Sequence, residues 1–189
     1  LVYGLELTNN NVLSTATEGT QTRYPSGGSN LTTAALYGSY KKEVNEHIVW
    51  NTGMRYSQVF GDMLFNNTDP VFVADKIDFN NGALTGNINL IYKPTQKWKF
   101  DWVASSGFRN PNIDDYGKVF VKKGNMVIPN PDLTPEYAYN GEMSITKKWK
   151  TIQSTGNVYY TYLKDAIVKQ DVEYSQIHEG DDVNVQTLM

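Results

Sequence analysis

The stretch KWKFDWVASSGFRNPNIDDYGK, residues 97–118, changes character halfway along. Lys97, Lys99, Asp101 and Val103 interleave strictly with Trp98, Phe100, Trp102 and Ala104. Successive side chains of a β-strand point to opposite faces. This alternation therefore predicts a strand with three large rings on one side and charges on the other. Gly107, Arg109, Asn110, Pro111, Asp114 and Asp115 then end the pattern and open a polar loop. What the strand is for depends on which solvent touches each face.

The same two-residue period extends through most of the chain. In 48–57, Ile48, Trp50, Met54 and Tyr56 oppose Asn51, Gly53, Arg55 and Ser57. In 83–92, Leu84, Ile88, Leu90 and Tyr92 oppose Thr85, Asn87 and Asn89. In 136–146, Tyr137, Tyr139, Gly141, Met143 and Ile145 oppose Glu136, Asn140, Glu142, Ser144 and Thr146. In 152–162, Ile152, Val158, Tyr160 and Tyr162 oppose Gln153, Thr155, Asn157 and Thr161. Weaker runs at 1–8 and 34–42 bring the total to about seven strands, and no stretch sustains a helical period. The chain reads as all-β and antiparallel.

Composition narrows the function classes. The 189 residues carry a net charge of −3 and no cysteine. Disulfides and thiolate metal sites are thereby excluded, and no clustered basic surface argues for nucleic acid. His47 and His178 are the only histidines, which disfavours a histidine-rich metal site. Mean hydropathy is −0.49, yet the chain holds 13 Tyr and 4 Trp. No apolar run approaches the roughly 18 residues of a membrane-spanning helix, and residues 1–11 do not form a signal peptide.

The connections alternate between short and long. Short ones are expected near 43–46, 93–97 and 147–150. Long ones are expected at about 9–31, 61–81 and 107–133, each of about 20 residues or more against a usual median of about 4–6. Long loops at every second turn all emerge from one end of an up-and-down sheet. Outer-membrane barrels have that asymmetry, with short periplasmic turns and long extracellular loops. Tyr92, Trp98 and Trp149 flank the short turns, where amphipathic rings suit a membrane interface. Each strong run reaches the 9–11 residues that a tilted spanning strand needs. About seven strands cannot close a large barrel, and an open sheet in lipid would leave backbone groups unpaired. A membrane reading therefore makes the chain an arc of a larger barrel. The competing reading is a soluble secreted β-sandwich that binds glycans, with the rings packed against a second sheet.

Four groups of residues carry a family resemblance. SSGFRNPNIDDYGKVF at 105–120, followed by NPDLTPEYAYNGEMSI at 130–145, resembles paired segments of TonB-dependent outer-membrane receptors: Gly107-Phe108-Arg109 and Pro111, then Asn130-Pro131, Leu133 and Pro135-Glu136. NTGMRYSQ at 51–58 is similar to the family's Gly-x-Arg-Tyr strand, LIYKPTQKW at 90–98 to its Tyr-x-Pro periplasmic hairpin, and YGLEL at 3–7 to its Gly-x-Glu strand. The resemblance implies about seven strands of a barrel of about 22, in the bacterial outer membrane. It implies partnership with a plug domain and the TonB complex through parts of the receptor not in this chain, with outer-membrane lipid, and with an unidentified small-molecule ligand. It implies no enzyme activity and no cofactor.

Candidate ligand contacts follow from placement. Arg109, Asp114, Asp115 and Tyr116 belong to the extracellular loop; Arg55, Lys99 and Asp101 belong to the polar parity that would line the lumen, with Asn87, Asn89, Asn140 and Glu142. Arg109 has a structural reading as well, its fork tying the loop base to a carboxylate, and the recurrence of its motif in receptors for unlike ligands favours that reading. FVKKGN at 120–125 is expected to form a hairpin with Gly124-Asn125 at its tip. Asp181-Asp182 is read as solvated tail and not as a calcium site, which needs six to eight oxygens, and the Asn-x-Thr triplets at Asn30 and Asn66 carry little weight, since the resemblance points to a bacterium. No catalytic set emerges: Glu136 and Glu142, six residues apart on one strand, would stand about 20 Å apart, too far for glycoside hydrolysis.

Overall fold

The structure is a computed structural model that describes residues 1–15, 24–65, 75–117, 120–122, 125–128, 130–171 and 184–189. Asn66, Gly124 and Asp181-Asp182 lie outside the described residues. The elements are β1 (Val2–Val12), β2 (Gly28–Glu43), β3 (Ile48–Leu64), β4 (Lys76–Thr95), β5 (Trp98–Arg109), α1 (Ile113–Gly117), β6 (Phe120–Lys122), β7 (Asn125–Ile128), β8 (Glu136–Lys148), β9 (Gln153–Lys164), β10 (Lys169–Asp171) and β11 (Asn184–Leu188). Seven of them form one sheet in the order β1-β2-β3-β4-β5-β8-β9. Every neighbouring pair in it is antiparallel. A second sheet of four short strands, β10-β11-β7-β6, is built from the long connection and the C-terminal segment.

Short turns at 44–47, 96–97 and 149–152 share one end of the large sheet, and the long connections share the other. The chemistry of each turn is local. Asn45 Oδ1 accepts the backbone N–H groups of His47 and Ile48, both at 2.9 Å, closing the first turn as an Asx turn. The β4–β5 pairing shifts register between Tyr92 and Thr95. Pro94 lies in that interval and has no N–H to give the ladder, so the strand bulges around it.

The first two long loops are shorter than the sequence suggests, because the strands run on. β2, β3 and β4 have 16, 17 and 20 residues, well beyond what crossing a bilayer needs. The alternation was read to end near Ser57 and to begin near Ala83, yet β3 and β4 stay paired from Ile48↔Tyr92 up to Leu64↔Lys76. The reason is an inversion of the pattern. Low on these strands, the even positions are apolar and the odd ones polar. Above Ser57, the even positions include Gln58, Asp62, Asp78 and Asn80, with Phe60 and Leu64 exposed among them, and the odd ones become Val59, Met63, Ile77 and Phe79. Simple alternation breaks there although the backbone does not.

Below the inversion the even face of β3, β4 and β5 is a continuous apolar surface. Tyr92, Trp98, Phe100 and Trp102 lie on it as a row of rings, with neighbouring centroids 6.0–6.2 Å apart. Among the described residues nothing covers this face: Met54, Leu84 and Trp50 remain 62, 56 and 46% exposed. The rings are therefore not sealed in a two-layer core, as the β-sandwich reading requires. Above the belt the same face turns into hydrogen-bonded amides. Asn9 Nδ2 donates to Asn30 Oδ1 and Thr32 Oγ1 at 2.8 and 2.7 Å, and Gln58 Nε2 donates to Asn80 Oδ1.

The buried core lies on the opposite face, at the long-loop end. Val59, Met63, Ile77 and Phe79 of β3 and β4 receive Ile113 and Tyr116 of α1 and Leu133 of the following loop. The Tyr116 ring is fully buried and stacks on Phe79 at 4.1 Å. Gly61, directly opposite Phe79 in register, makes that stack possible: a Cβ on Gly61 would come 2.0 Å from Phe79 Cζ. Gly61→Val is expected to push Phe79 and Tyr116 aside at a cost of about 1–3 kcal/mol, seen as lost amide protection across 113–117 in hydrogen exchange. Gly107→Ala, whose Cβ would meet nothing within 4 Å, should leave that protection unchanged.

Candidate functional site

The polar face carries two constellations of charged side chains, one at the rim of the long-loop end and one partway down the wall. The rim begins at Arg109, the last residue of β5, which pairs in register with Glu136, the first residue of β8. Arg109 Nε donates to Glu136 Oε1 and its Nη1 to Asp115 Oδ2, both at 2.6 Å. Glu136 Oε2 in turn accepts the Ile167 N–H at 3.0 Å, so one guanidinium gathers two strand ends, α1 and the segment after β9. On the other face the preceding pair, Phe108 and Tyr137, brings its rings to 6.3 Å. The Phe-Arg and Pro-Glu segments are thus two sides of one cross-strand clasp.

α1 is short but well capped. Asn112 Oδ1 accepts the N–H groups of Asp114 and Asp115 at 2.8 and 3.0 Å, and the Asp115 carboxylate accepts the Asn112 N–H at 3.0 Å. This is a reciprocal capping box built from Asn and Asp. It holds Asp115 toward Arg109 and swings Tyr116 under the loop. The Tyr116 hydroxyl accepts from Asn81 Nδ2 at 2.7 Å and donates to the Leu133 carbonyl at 2.8 Å.

Ionisation follows these contacts. The hydrogen bond from Arg109 holds the Glu136 carboxyl below the usual carboxylate range, with the Ile167 N–H adding to it. Burial pushes the Tyr116 phenol up, which keeps it neutral and able to donate.

The wall constellation joins strands β1, β2 and β3. Arg55 Nη1 donates to Glu6 Oε2 at 3.1 Å and Nε to Ser57 Oγ at 2.9 Å. It crosses the small buried side chain of Ala35, which lies between Glu6 and Ser57 in register. The guanidinium also stands 5.9 Å over the Tyr37 ring. Gly4 makes room for that ring, since a Cβ there would come 2.5 Å from the Tyr37 hydroxyl. Further toward the short-turn end, Lys99 pairs with Asp101 at 2.5 Å, and Asn89 Nδ2 donates to the same carboxylate at 3.2 Å.

The structure thus brings Arg109 and Asp115 together at the rim, with Asp114 beside them at the start of α1, and Arg55, Lys99 and Asp101 along the polar wall. Tyr116 differs from them in being fully buried, its ring packed on Phe79. Sequence reasoning left Glu6, Tyr37 and Glu136 out of the site. Glu6 and Arg55 occur in two separate motifs, and only the register of three strands shows that they meet. Asn112 and Asp115 carry the residue types of a capping box, but five helical residues make no period that would mark the helix in the sequence.

Two outcomes follow at the rim. A carboxyl with a lowered folded pKa adds stability that is present above its unfolded value and lost as pH falls through the folded one. Amide protection across 112–116, corrected for intrinsic exchange, should therefore fall as pH drops below about 4, and Glu136→Gln should flatten that response. Tyr116→Phe should cost about 1–3 kcal/mol by leaving the Leu133 carbonyl unpartnered, read from denaturant unfolding.

Comparison with known proteins places this arrangement. The family model for the TonB-dependent receptor-like β-barrel matches residues 1–186. Among solved structures, the hemophore receptor HasR of Serratia marcescens, in complex with its hemophore HasA and heme, matches with TM-score 0.75 and 13% identity, over 98% of this chain and 33% of that one. The FrpB iron transporter of Neisseria meningitidis matches with TM-score 0.61 and 12% identity, over 98% and 27%. The ferric yersiniabactin uptake receptor FyuA of Yersinia pestis matches with TM-score 0.54 and 16% identity, over 86% and 22%. At such identities the likeness is one of fold. No curated protein sequence matches. This chain spans about a third or less of those receptors, and within that span it belongs to the TonB-dependent receptor-like β-barrel family.

Proposed function

We propose that this chain is an arc of the wall of an outer-membrane receptor that takes up a scarce solute with energy supplied through TonB. The observation that carries the reading is the two-faced sheet: one face apolar and uncovered across all seven strands, the other lined with paired charges and amides. Hydrocarbon suits the first face and a water-filled lumen the second. Flanking strands would complete a barrel of about 22, which removes the open edges at β1 and β9 that lipid would not tolerate. A plug domain outside this chain would fill the lumen and connect to the TonB complex.

The solute class follows from the neighbours and the wall. The structural relatives are named for heme, iron and a ferric siderophore, which favours an iron chelate over cobalamin, an oligosaccharide or a peptide. Heme receptors of the family commonly carry a histidine between the Phe-Arg and Asn-Pro segments. No histidine occurs from Asn112 to Pro129, so a siderophore fits this chain better than heme. Arg109, Asp114 and Asp115 would meet the solute at the rim, and Arg55, Lys99 and Asp101 along the wall. An anionic chelate would pair in passing with the cations Arg109, Arg55 and Lys99, in place of their present carboxylate partners.

The orientation of the two faces is directly testable in the complete receptor that carries this segment. Brominated acyl chains should quench the fluorescence of Trp102. Ile88→Arg on the same face should destabilise bilayer-folded protein by about 2–4 kcal/mol, whereas Ser105→Arg on the polar face should be tolerated. The reverse pattern would place the rings inside a soluble core. For transport, uptake of iron supplied as a panel of ferric siderophores should stop when the proton-motive force is collapsed. Uptake that persists would rule out coupling through TonB.

A further inference from the structure

A side chain on the lipid-facing surface has no role in the wall or the rim. Lys147, near the end of β8, points to the same face as Trp98, its partner across the strand pair. Its Nζ stands 4.5 Å over the Trp98 ring and 5.2 Å over the Trp149 ring. Among the described residues no carboxylate lies within ion-pair distance of it. Two indole faces attract an ammonium, but they satisfy its three N–H donors poorly. The group is positioned and charged, and its hydrogen-bonding capacity points outward at the short-turn end.

The surface above Lys147 is hollow. An open depression of about 420 Å³ lies among Trp102, Ala104, Gly141, Met143, Val158 and Tyr160. Ala104 and Gly141 face each other in register and form its floor, and a Cβ added to Gly141 would meet nothing within 4 Å. From Lys147 to Gly141 is six residues, about 20 Å along a strand. With a tilt of about 40° the rise is about 15 Å, half of a hydrocarbon core about 30 Å thick. The basic clamp and the hollow therefore span one leaflet.

We propose that this strip of β5, β8 and β9 holds one anionic phospholipid of the periplasmic leaflet, its phosphate at Lys147 between Trp98 and Trp149 and an acyl chain in the Ala104–Gly141 depression. The inference rests on the barrel reading, which places the short turns on the periplasmic side. Charge selects the occupant: the Lys147 ammonium attracts any lipid phosphate but is repelled by the ammonium of a zwitterionic headgroup, so an anionic lipid suits it better. One lysine at a membrane surface contributes a preference of about fivefold.

The test uses the complete receptor containing this chain, reconstituted in nanodiscs of equal phosphatidylglycerol and phosphatidylcholine, with retained lipid counted by native mass spectrometry after the loosely held lipid is stripped. The unaltered receptor should retain phosphatidylglycerol about fivefold over phosphatidylcholine. Lys147→Gln should bring the ratio to about one, whereas Lys148→Gln, one residue on and facing the lumen, should preserve it. Gly141→Leu, which fills the hollow, should lower retention of both lipids without changing their ratio. Absence of enrichment in the unaltered receptor, enrichment surviving Lys147→Gln, or equal loss in Lys148→Gln would overturn the site. A receptor that stays out of the nanodisc altogether would overturn the barrel reading, and this site with it.

Discussion

A strand with an apolar surface on one side and a polar surface on the other must satisfy its backbone sideways and its side chains alternately, and this constraint organises the seven-stranded sheet. Seven antiparallel neighbours take up the backbone groups. The two-residue period then sends Leu90, Trp102, Met143 and Val158 to one face and Asn89, Asp101, Glu142 and Asn157 to the other. A one-residue slip anywhere would exchange the faces. Such a slip would set charges among the rings and rings among the charges, so the pattern enforces its own register.

Where that constraint ends, the pattern inverts. Above Ser57 one face of β3 and β4 becomes largely amide and acid, with Phe60 and Leu64 exposed among them, while the opposite face gains a cover and becomes apolar. The cover is the Tyr116 ring, held against Phe79 by a five-residue helix whose cap also supplies a carboxylate to Arg109. Loop packing and rim electrostatics are therefore mechanically one unit. The partly exposed ion pairs contribute about 1 kcal/mol or less each. Their effect is to fix where α1 sits, and the buried ring supplies most of the holding force.

Much of this was legible in the residues. The strands of the belt, their parity, the short turns and the aromatic flanks all follow from alternation and composition, because those signals are local. The extensions of β3 and β4 were not legible, because their alternation is kept in period but reversed in sign. β10 and β11 were missed because such short strands carry too little pattern, and β11 pairs in parallel with β7 across a long stretch of sequence. The hairpin at 120–125 forms as β6 and β7, with Lys122 opposite Asn125, so Asn125 opens a strand where it was expected at the tip. In the site, the residue types at Arg55, Arg109 and Asp101 were readable, and their partners were not.

The sequence by itself determined the class of fold and which side chains share a face, because a period of two admits only one assignment of neighbours to sides. It also marked the segments that carry the family likeness. Only the tertiary structure decided that Gly-x-Glu and Gly-x-Arg meet as Glu6 and Arg55, that Phe-Arg and Pro-Glu close as one clasp, and that Tyr116 lies buried against Phe79. Those pairings join residues up to 49 positions apart. They depend on strand order, register and the few small residues that let long side chains cross, none of which a local pattern encodes.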